Sequence, residues 1–317
     1  MREIVTVTGN ITADKIGFCQ FHEHLLVSRG KSYEINPDIY MDEVEKSAAE
    51  TVLFKKVGGS TIIDAQPGGC NRMADGLEEI SRKTGVNIIC STGFHKLMFY
   101  PEGHWIFDMP EAELAEFFTR ELTVGVSNQC DTGLPGKSQS QRAGIIKCAL
   151  DRENLTPRYK ELFRAAAKAA IATERTMMVH IEKDSDPVQL LDFLFSLGMK
   201  PEHLVFCHLD RAIADINIHK AIAKQGVFLE FDTIGRFKYH SDEYEIELMK
   251  ELIREGYEDN LLFSLDTTRA RMKSYCLEAV GLDYILNVFV NKMKKAGIME
   301  SQIRKMSNLN CIRVLTE

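Results

Sequence analysis

The feature that most constrains this chain is an alternation: eight short apolar, β-branched runs, separated for the most part by longer stretches with helical periodicity. The runs are Ile16–His22, Ser60–Ala65, Val86–Thr92, Gly144–Cys148, Thr176–Glu182, Leu204–His208, Val227–Asp232 and Leu261–Asp266. The amphipathic stretches are Met41–Lys56, Met73–Lys83, Pro110–Leu122, Pro157–Thr173, Pro187–Leu197, Ala212–Gln225 and Asp242–Arg254, and a last helix, Leu282–Ala296, follows the eighth run. Strands spaced by helices pair in parallel through helical crossovers. Eight such units predict closure into a (β/α)8 TIM barrel, which fills residues 1–317 as one domain. An open doubly wound sheet is the competing architecture, but no G-x-G-x-x-G follows any run to support it. Asp186-Pro187 and Thr156-Pro157 read as an N-cap followed by proline at the first helical position, and Asp108 is the expected cap before Pro110. The polar segment Ser127–Arg142 reads as a long surface loop.

Charge and cysteine usage narrow the partners. A formal net charge of −7 argues against nucleic acid, whose binders usually carry a basic excess. The eight cysteines, Cys19, Cys70, Cys90, Cys130, Cys148, Cys207, Cys276 and Cys311, form no C-x-x-C pair, and several sit inside apolar runs. They read as reduced, mostly buried thiols of a cytoplasmic protein. Met1-Arg2-Glu3-Ile4 lacks a signal-peptide apolar region, and no stretch approaches the roughly 18 apolar residues of a membrane span.

The sharpest local signal is Phe21-His22-Glu23-His24. Residues i and i+2 of a strand share a face, so His22 and His24 can present two imidazoles to one ion, while Glu23 points away in a structural role. H-x-H alone is a weak signal. However, His180, His208 and Asp266 each lie at or near the carboxyl end of a run, where barrel enzymes gather their catalytic groups. Any one of these histidines alone would more often be a hydrogen-bonded core residue. Together, four histidines and an aspartate suit Zn²⁺ or another first-row ion. Lys147, inside Gly144-Ile145-Ile146-Lys147-Cys148, is costly to bury as an ammonium. It either snorkels to a carboxylate or, beside two metals, reacts with carbon dioxide to give a bridging carbamate.

The series His22-x-His24, Lys147, His180, His208 and Asp266 resembles the phosphotriesterase family of the amidohydrolase superfamily, along with Thr92-Gly93-Phe94, Ala143-Gly144-Ile145-Ile146-Lys147 and Leu265-Asp266-Thr267. The likeness spans essentially the whole chain; Asn310-Cys311 departs from the expected Asn-Pro of the closing helix. The resemblance implies a binuclear site at the C-terminal face of the barrel. In it, His22, His24 and Asp266 bind one divalent ion, His180 and His208 bind the other, and carboxylated Lys147 bridges them. Zinc is the expected metal, with manganese, cobalt and iron as alternatives, and a homodimer is the expected assembly. Two ions roughly 3.5–4 Å apart can hold a bridging hydroxide. By resemblance this attacks the electrophile, with Asp266 and Lys147 as the catalytic residues and Asp266 relaying the proton.

The loops after the seventh and eighth runs concentrate basic residues: Arg236 and Lys238, then Arg269, Arg271 and Lys273, with Tyr239 and Tyr275 beside them. Barrels frequently bind phosphate at this position, and arginine forks suit its oxygens; the bland alternative is solvated loop charge paired with Asp242 and Glu243. The family branch resembling Phe231–Tyr239 and Leu265–Arg269 implies a lactonase acting on phosphorylated sugar (pentono-1,4-) lactones. Lys238, Arg271 and Tyr275 are the expected phosphate clamp, supported by Arg236 and Arg269. Thr92–Trp105, with His95, Lys96, Tyr100 and Trp105, is placed to cover the sugar. His95 and His104 lack motif support as ligands, and His203, His219 and His240 read as surface residues. The rival readings are a phosphotriesterase or amide hydrolase on the same metals, and a barrel that binds a phosphosugar without turnover.

Overall fold

The chain enters as a hairpin, β1 (Ile4–Thr6) and β2 (Gly9–Ile11), that none of the apolar runs anticipates because each strand has only three residues. Eight parallel strands follow: β3 (Phe18–Glu23), β4 (Gly59–Asp64), β5 (Asn87–Gly93), β6 (Ile145–Leu150), β7 (Met177–Ile181), β8 (Leu204–Cys207), β9 (Phe228–Phe231) and β10 (Leu261–Phe263). From β4 onward each pairs with its predecessor in chain order, as expected of the barrel. The computed structural model describes residues 3–316, so Met1 and Arg2 of the amino-terminal reading lie outside the described residues.

The ring closes between β10 and β3. There Asp266 N–H donates to the His22 carbonyl at 3.1 Å. Glu23, fully buried on β3, accepts from Leu265 N–H at 2.8 Å, from Thr267 N–H at 2.9 Å and from the Thr267 hydroxyl. This carboxylate substitutes for ladder hydrogen bonds across the seam, the structural role expected for it.

Inside the barrel, one side chain from each strand fills the lower layer: Phe21, Ile63, Ile89, Ile145, Met178, Val205, Phe228 and Leu262. Ile4 of the hairpin and Cys311, Val314 and Leu315 of helix Asn310–Thr316 join this cluster, so both ends of the chain plug the barrel from below. Burying Cys311 there keeps the closing helix packed without the expected proline.

Helices Pro157–Thr173 and Asp242–Arg254 match their expected bounds, and Asp186 and Thr156 cap as expected by accepting backbone N–H bonds. Asp108 does not cap the helix Glu111–Thr123, whose N-cap is Pro110 without a side-chain bond. The helix expected over Ala212–Gln225 splits into a turn at Leu209–Ala212 and a helix at Ile216–Lys224. His219 lies on the inner face of that helix beside Ile222 and Ala223, fully buried with Nε2 2.9 Å from the Ile213 carbonyl, which corrects its surface reading. All eight cysteines are free and only Cys276 is exposed. Among the described residues no helix is long and apolar enough to cross a membrane.

Candidate metal centre and its cavity

Backbone geometry at the strand ends aims the site residues. The β3–β4 register slips by one residue between Gln20 and Glu23, a bulge. One extra residue lets Phe21 enter the lower core while His22 still turns inward. Strands expected to run to His208 and Asp266 stop at Cys207 and Phe263, and both polar residues adopt left-handed backbone conformations, with φ of 66° and 49°. Such a conformation costs an L side chain about 1–2 kcal/mol, and here it turns each side chain over the barrel mouth. Gly93 has φ 107°, and a Cβ there would sit 2.0 Å from the Lys147 carbonyl. Glycine therefore lets β5 approach β6 closely enough to place Lys147.

The expected metal residues converge. His22 Nε2 lies 3.8 Å and His24 Nε2 3.6 Å from Asp266 Oδ1. Donors bound tetrahedrally about 2.0–2.1 Å from one ion are roughly 3.4 Å apart, so this trio fits one coordination shell. The His180 and His208 ring centroids are 4.4 Å apart, and those of His22 and His208 4.9 Å. Lys147 Nζ lies 3.0 Å from His22 Nε2 and 3.7 Å from Met178 Sδ, fully buried, with no carboxylate partner among the described residues. A buried amine with no carboxylate within reach is compatible with the carbamate expected at this position.

Asp232 organises the rings, and the sequence reading did not single it out. Fully buried, it accepts from His22 Nδ1–H at 2.9 Å and from His208 Nδ1–H at 2.5 Å. Both rings are thereby fixed in the tautomer that leaves Nε2 free as a metal donor. His180 Nε2 donates to Glu182 at 3.2 Å, leaving Nδ1 as its donor, and Glu182 in turn accepts from Lys96 at 2.6 Å. Burial keeps these imidazoles neutral: His24 is pushed down to about 4, His180 to about 3, and His22 and His208 well below 6.5. For Asp266 burial acts upward, but Arg236 and Arg211 outweigh it and hold the carboxyl below its ordinary 3.8. Neutral nitrogens and an ionised carboxylate are the forms that bind a cation, so the donor set fits the expected ions.

The site floors a cavity of about 550 Å³. Two of the five expected phosphate-binding residues reach its wall, Arg236 and Lys238; Arg236 Nη2 lies 2.9 Å from Asp266 Oδ2. The other three do not. Arg271 turns inward and donates to the Leu265 and Ile234 carbonyls. The Tyr275 hydroxyl donates to the Glu43 carbonyl at 3.1 Å, and Arg269 stacks on the Tyr40 and Tyr275 rings. Arg211 is a further wall cation, beside Lys96, Arg152 and Lys183, missed because it falls in the turn after β8; it stacks on Tyr239 and lies 3.9 Å from Asp266 Oδ2. Of the expected cover, His95 and Lys96 line the cavity. Tyr100 instead accepts from His95 N–H at 2.8 Å, and Trp105 and His104 both bind the Cys130 carbonyl.

Comparison with known proteins gives a consistent picture. A model of the phosphotriesterase family matches residues 2–315. A phospho-furanose lactonase of Mycoplasmopsis synoviae is 29% identical over 98% of this chain and 90% of its own length. An N-acetyltaurine hydrolase of Danio rerio is 26% identical over 99% and 98%. The crystal structure of a lactonase from Listeria monocytogenes superposes with a TM-score of 0.89 at 27% identity, covering 99% of each chain.

Proposed function

The chain belongs to the phosphotriesterase family of the amidohydrolase superfamily, and from that premise we propose that it is a metal-dependent lactonase opening phosphorylated sugar (pentono-1,4-) lactones. The observation that carries this reading is that the histidine–lysine–aspartate cluster opens onto a cavity whose wall carries six cations, Lys96, Arg152, Lys183, Arg211, Arg236 and Lys238, in a chain of net charge −7. A neutral phosphotriester has no use for such a wall; an anionic substrate does.

His22, His24 and Asp266 would hold one ion, His180 and His208 the other, with the carbamate of Lys147 between them. When bound, such ions supply an activated water and Lewis acidity toward the lactone carbonyl. The remaining chemistry belongs to the chain. Asp266, held by Arg236 at 2.9 Å, accepts the proton released by the attacking water and returns it to the ring oxygen as the C–O bond opens. Lys238, Arg236 and Arg211 hold the phosphate, which is bound and not cleaved. Asp232 keeps both imidazoles in register throughout. Residues 1–317 would act as one catalytic unit, in the cytoplasm where seven buried free thiols stay reduced, and as a homodimer.

A second reading is supported by the N-acetyltaurine hydrolase relative, since the same wall could face a sulfonate. Assay of purified protein against pentonolactone 5-phosphates, their dephosphorylated forms, N-acetyltaurine and a neutral phosphotriester separates the readings. Loss of the phosphate should lower kcat/KM about 10- to 100-fold, the equivalent of one charge-assisted contact. An unchanged kcat/KM, or faster turnover of the amide, would overturn the proposal.

A further inference from the structure

A second cluster of metal-binding side chains lies beneath the cavity wall. Asp210 sits in the turn Leu209–Ala212, His240 ends the loop that follows β9, and Glu245 lies in the first turn of helix Asp242–Arg254. One ligand atom from each lies within 4.8 Å of the others. Asp210 Oδ2 is anchored by Asp232 N–H at 3.1 Å, Thr233 N–H at 2.8 Å and the Thr233 hydroxyl at 2.5 Å. His240 Nε2 is 2.9 Å from the Thr233 hydroxyl oxygen and 3.1 Å from Glu245 Oε2.

Glu245 is the anomaly. Its side chain is fully buried; among the described residues Oε1 has no hydrogen-bond partner, and Oε2 has only the His240 ring nitrogen at 3.1 Å. Buried carboxylates are normally paired, bonded or bound to metal. Neither neighbouring cation pairs with Glu245: Lys292 pairs with Asp242 and Glu243 at 3.0 Å each, and Arg211 stacks on Tyr239 and lies 3.9 Å from Asp266. Two carboxylates and an imidazole thus converge in a buried pocket that no lysine or arginine among the described residues enters, and two oxygens and a nitrogen suit a small first-row divalent ion.

We propose that Asp210, His240 and Glu245 form a binding site for a divalent cation of the zinc or manganese class, distinct from the cavity centre. Such an ion ties β8, the loop carrying Arg236 and Lys238, and helix Asp242–Arg254 together at one point.

The test uses the full chain equilibrated with Zn²⁺ alone. Anomalous diffraction at the zinc edge should place a peak among Asp210, His240 and Glu245. In Glu245→Gln that peak should vanish, and elemental analysis should fall by about one zinc per chain, while density at His22 and His24 persists. His240→Gln serves as the second variant if the first does not fold. Wild-type protein with no peak there, or a Glu245→Gln variant with unchanged zinc content, would overturn the proposal; a proton shared between the two carboxylates would then balance the pocket. The two centres appear separately in the same map, so an empty His22–His24–Asp266 centre would sink the lactonase reading without touching this one.

Discussion

Asp232→Asn tests the logic of the proposed metal centre most directly. The native carboxylate accepts two imidazole N–H bonds, 2.9 Å from His22 and 2.5 Å from His208, and each charge-assisted bond is worth about 1.5–3 kcal/mol. Asparagine matches the shape but has one accepting oxygen and one donating nitrogen. The ring facing the amide nitrogen must break its bond or move its proton to Nε2, which removes the lone pair meant for an ion. Loss of such an orienting partner typically costs 10- to 100-fold in metal affinity, about 1.4–2.7 kcal/mol. The assay is titration in metal buffers, read by elemental analysis and by lactone hydrolysis, with activity recovering partly at high metal. Metal affinity within about twofold of wild type, with unchanged turnover at limiting metal, would refute the claim that Asp232 sets the tautomers.

Further outcomes follow from other parts of the site. Lys147→Ala should lose bound metal and activity together, with short carboxylates restoring part of both; full activity would remove the carbamate from the mechanism. Lys238→Met should raise KM for a phosphorylated lactone about 10- to 100-fold with little change in kcat, and an unmoved KM would exclude it from the phosphate clamp. In protein stripped of metal, burial holds His24 at about 4 and His180 at about 3, below their ordinary 6.5. Unfolding lets both take up protons below that value, so stability is intact above pH 6.5 and declines as pH falls toward 4; a melting temperature flat across that window would contradict neutral rings. Burial pushes the thiols of Cys90 and Cys130 up to about 12 and those of Cys148, Cys207 and Cys311 well above their ordinary value. Iodoacetamide on the native protein should therefore modify Cys276 first by mass mapping, and rapid modification of the buried thiols would contradict the packing.

The strands and the histidines and aspartate that cluster at the barrel mouth were legible because each strand is a dense apolar run, and a histidine or aspartate at its end is conspicuous. Asp232 has the same signature, at the end of Val227–Asp232, yet its role depends on two rings that only the closed barrel brings to it. Arg271 and Tyr275 were misplaced for the opposite reason. A charge in a loop reads as available for a ligand, but Arg271 is needed to satisfy backbone carbonyls and Tyr275 to bind the backbone at Glu43. His219 did carry a readable signal: with Ile222 and Ala223 it completes an i, i+3, i+4 apolar face, the spacing of a buried stripe. The β1–β2 hairpin and the closing helix Asn310–Thr316 gave too little periodicity to reveal that they plug the barrel.

Glu23 stands between His22 and His24, so the stitch that shuts the ring and the groups that would grip an ion share three consecutive residues. Any breathing of the ring at that joint would pull both imidazoles away from Asp266 in the same movement. An occupied centre would therefore clamp the barrel shut, and the rate at which ions escape would gauge how often the ring springs open.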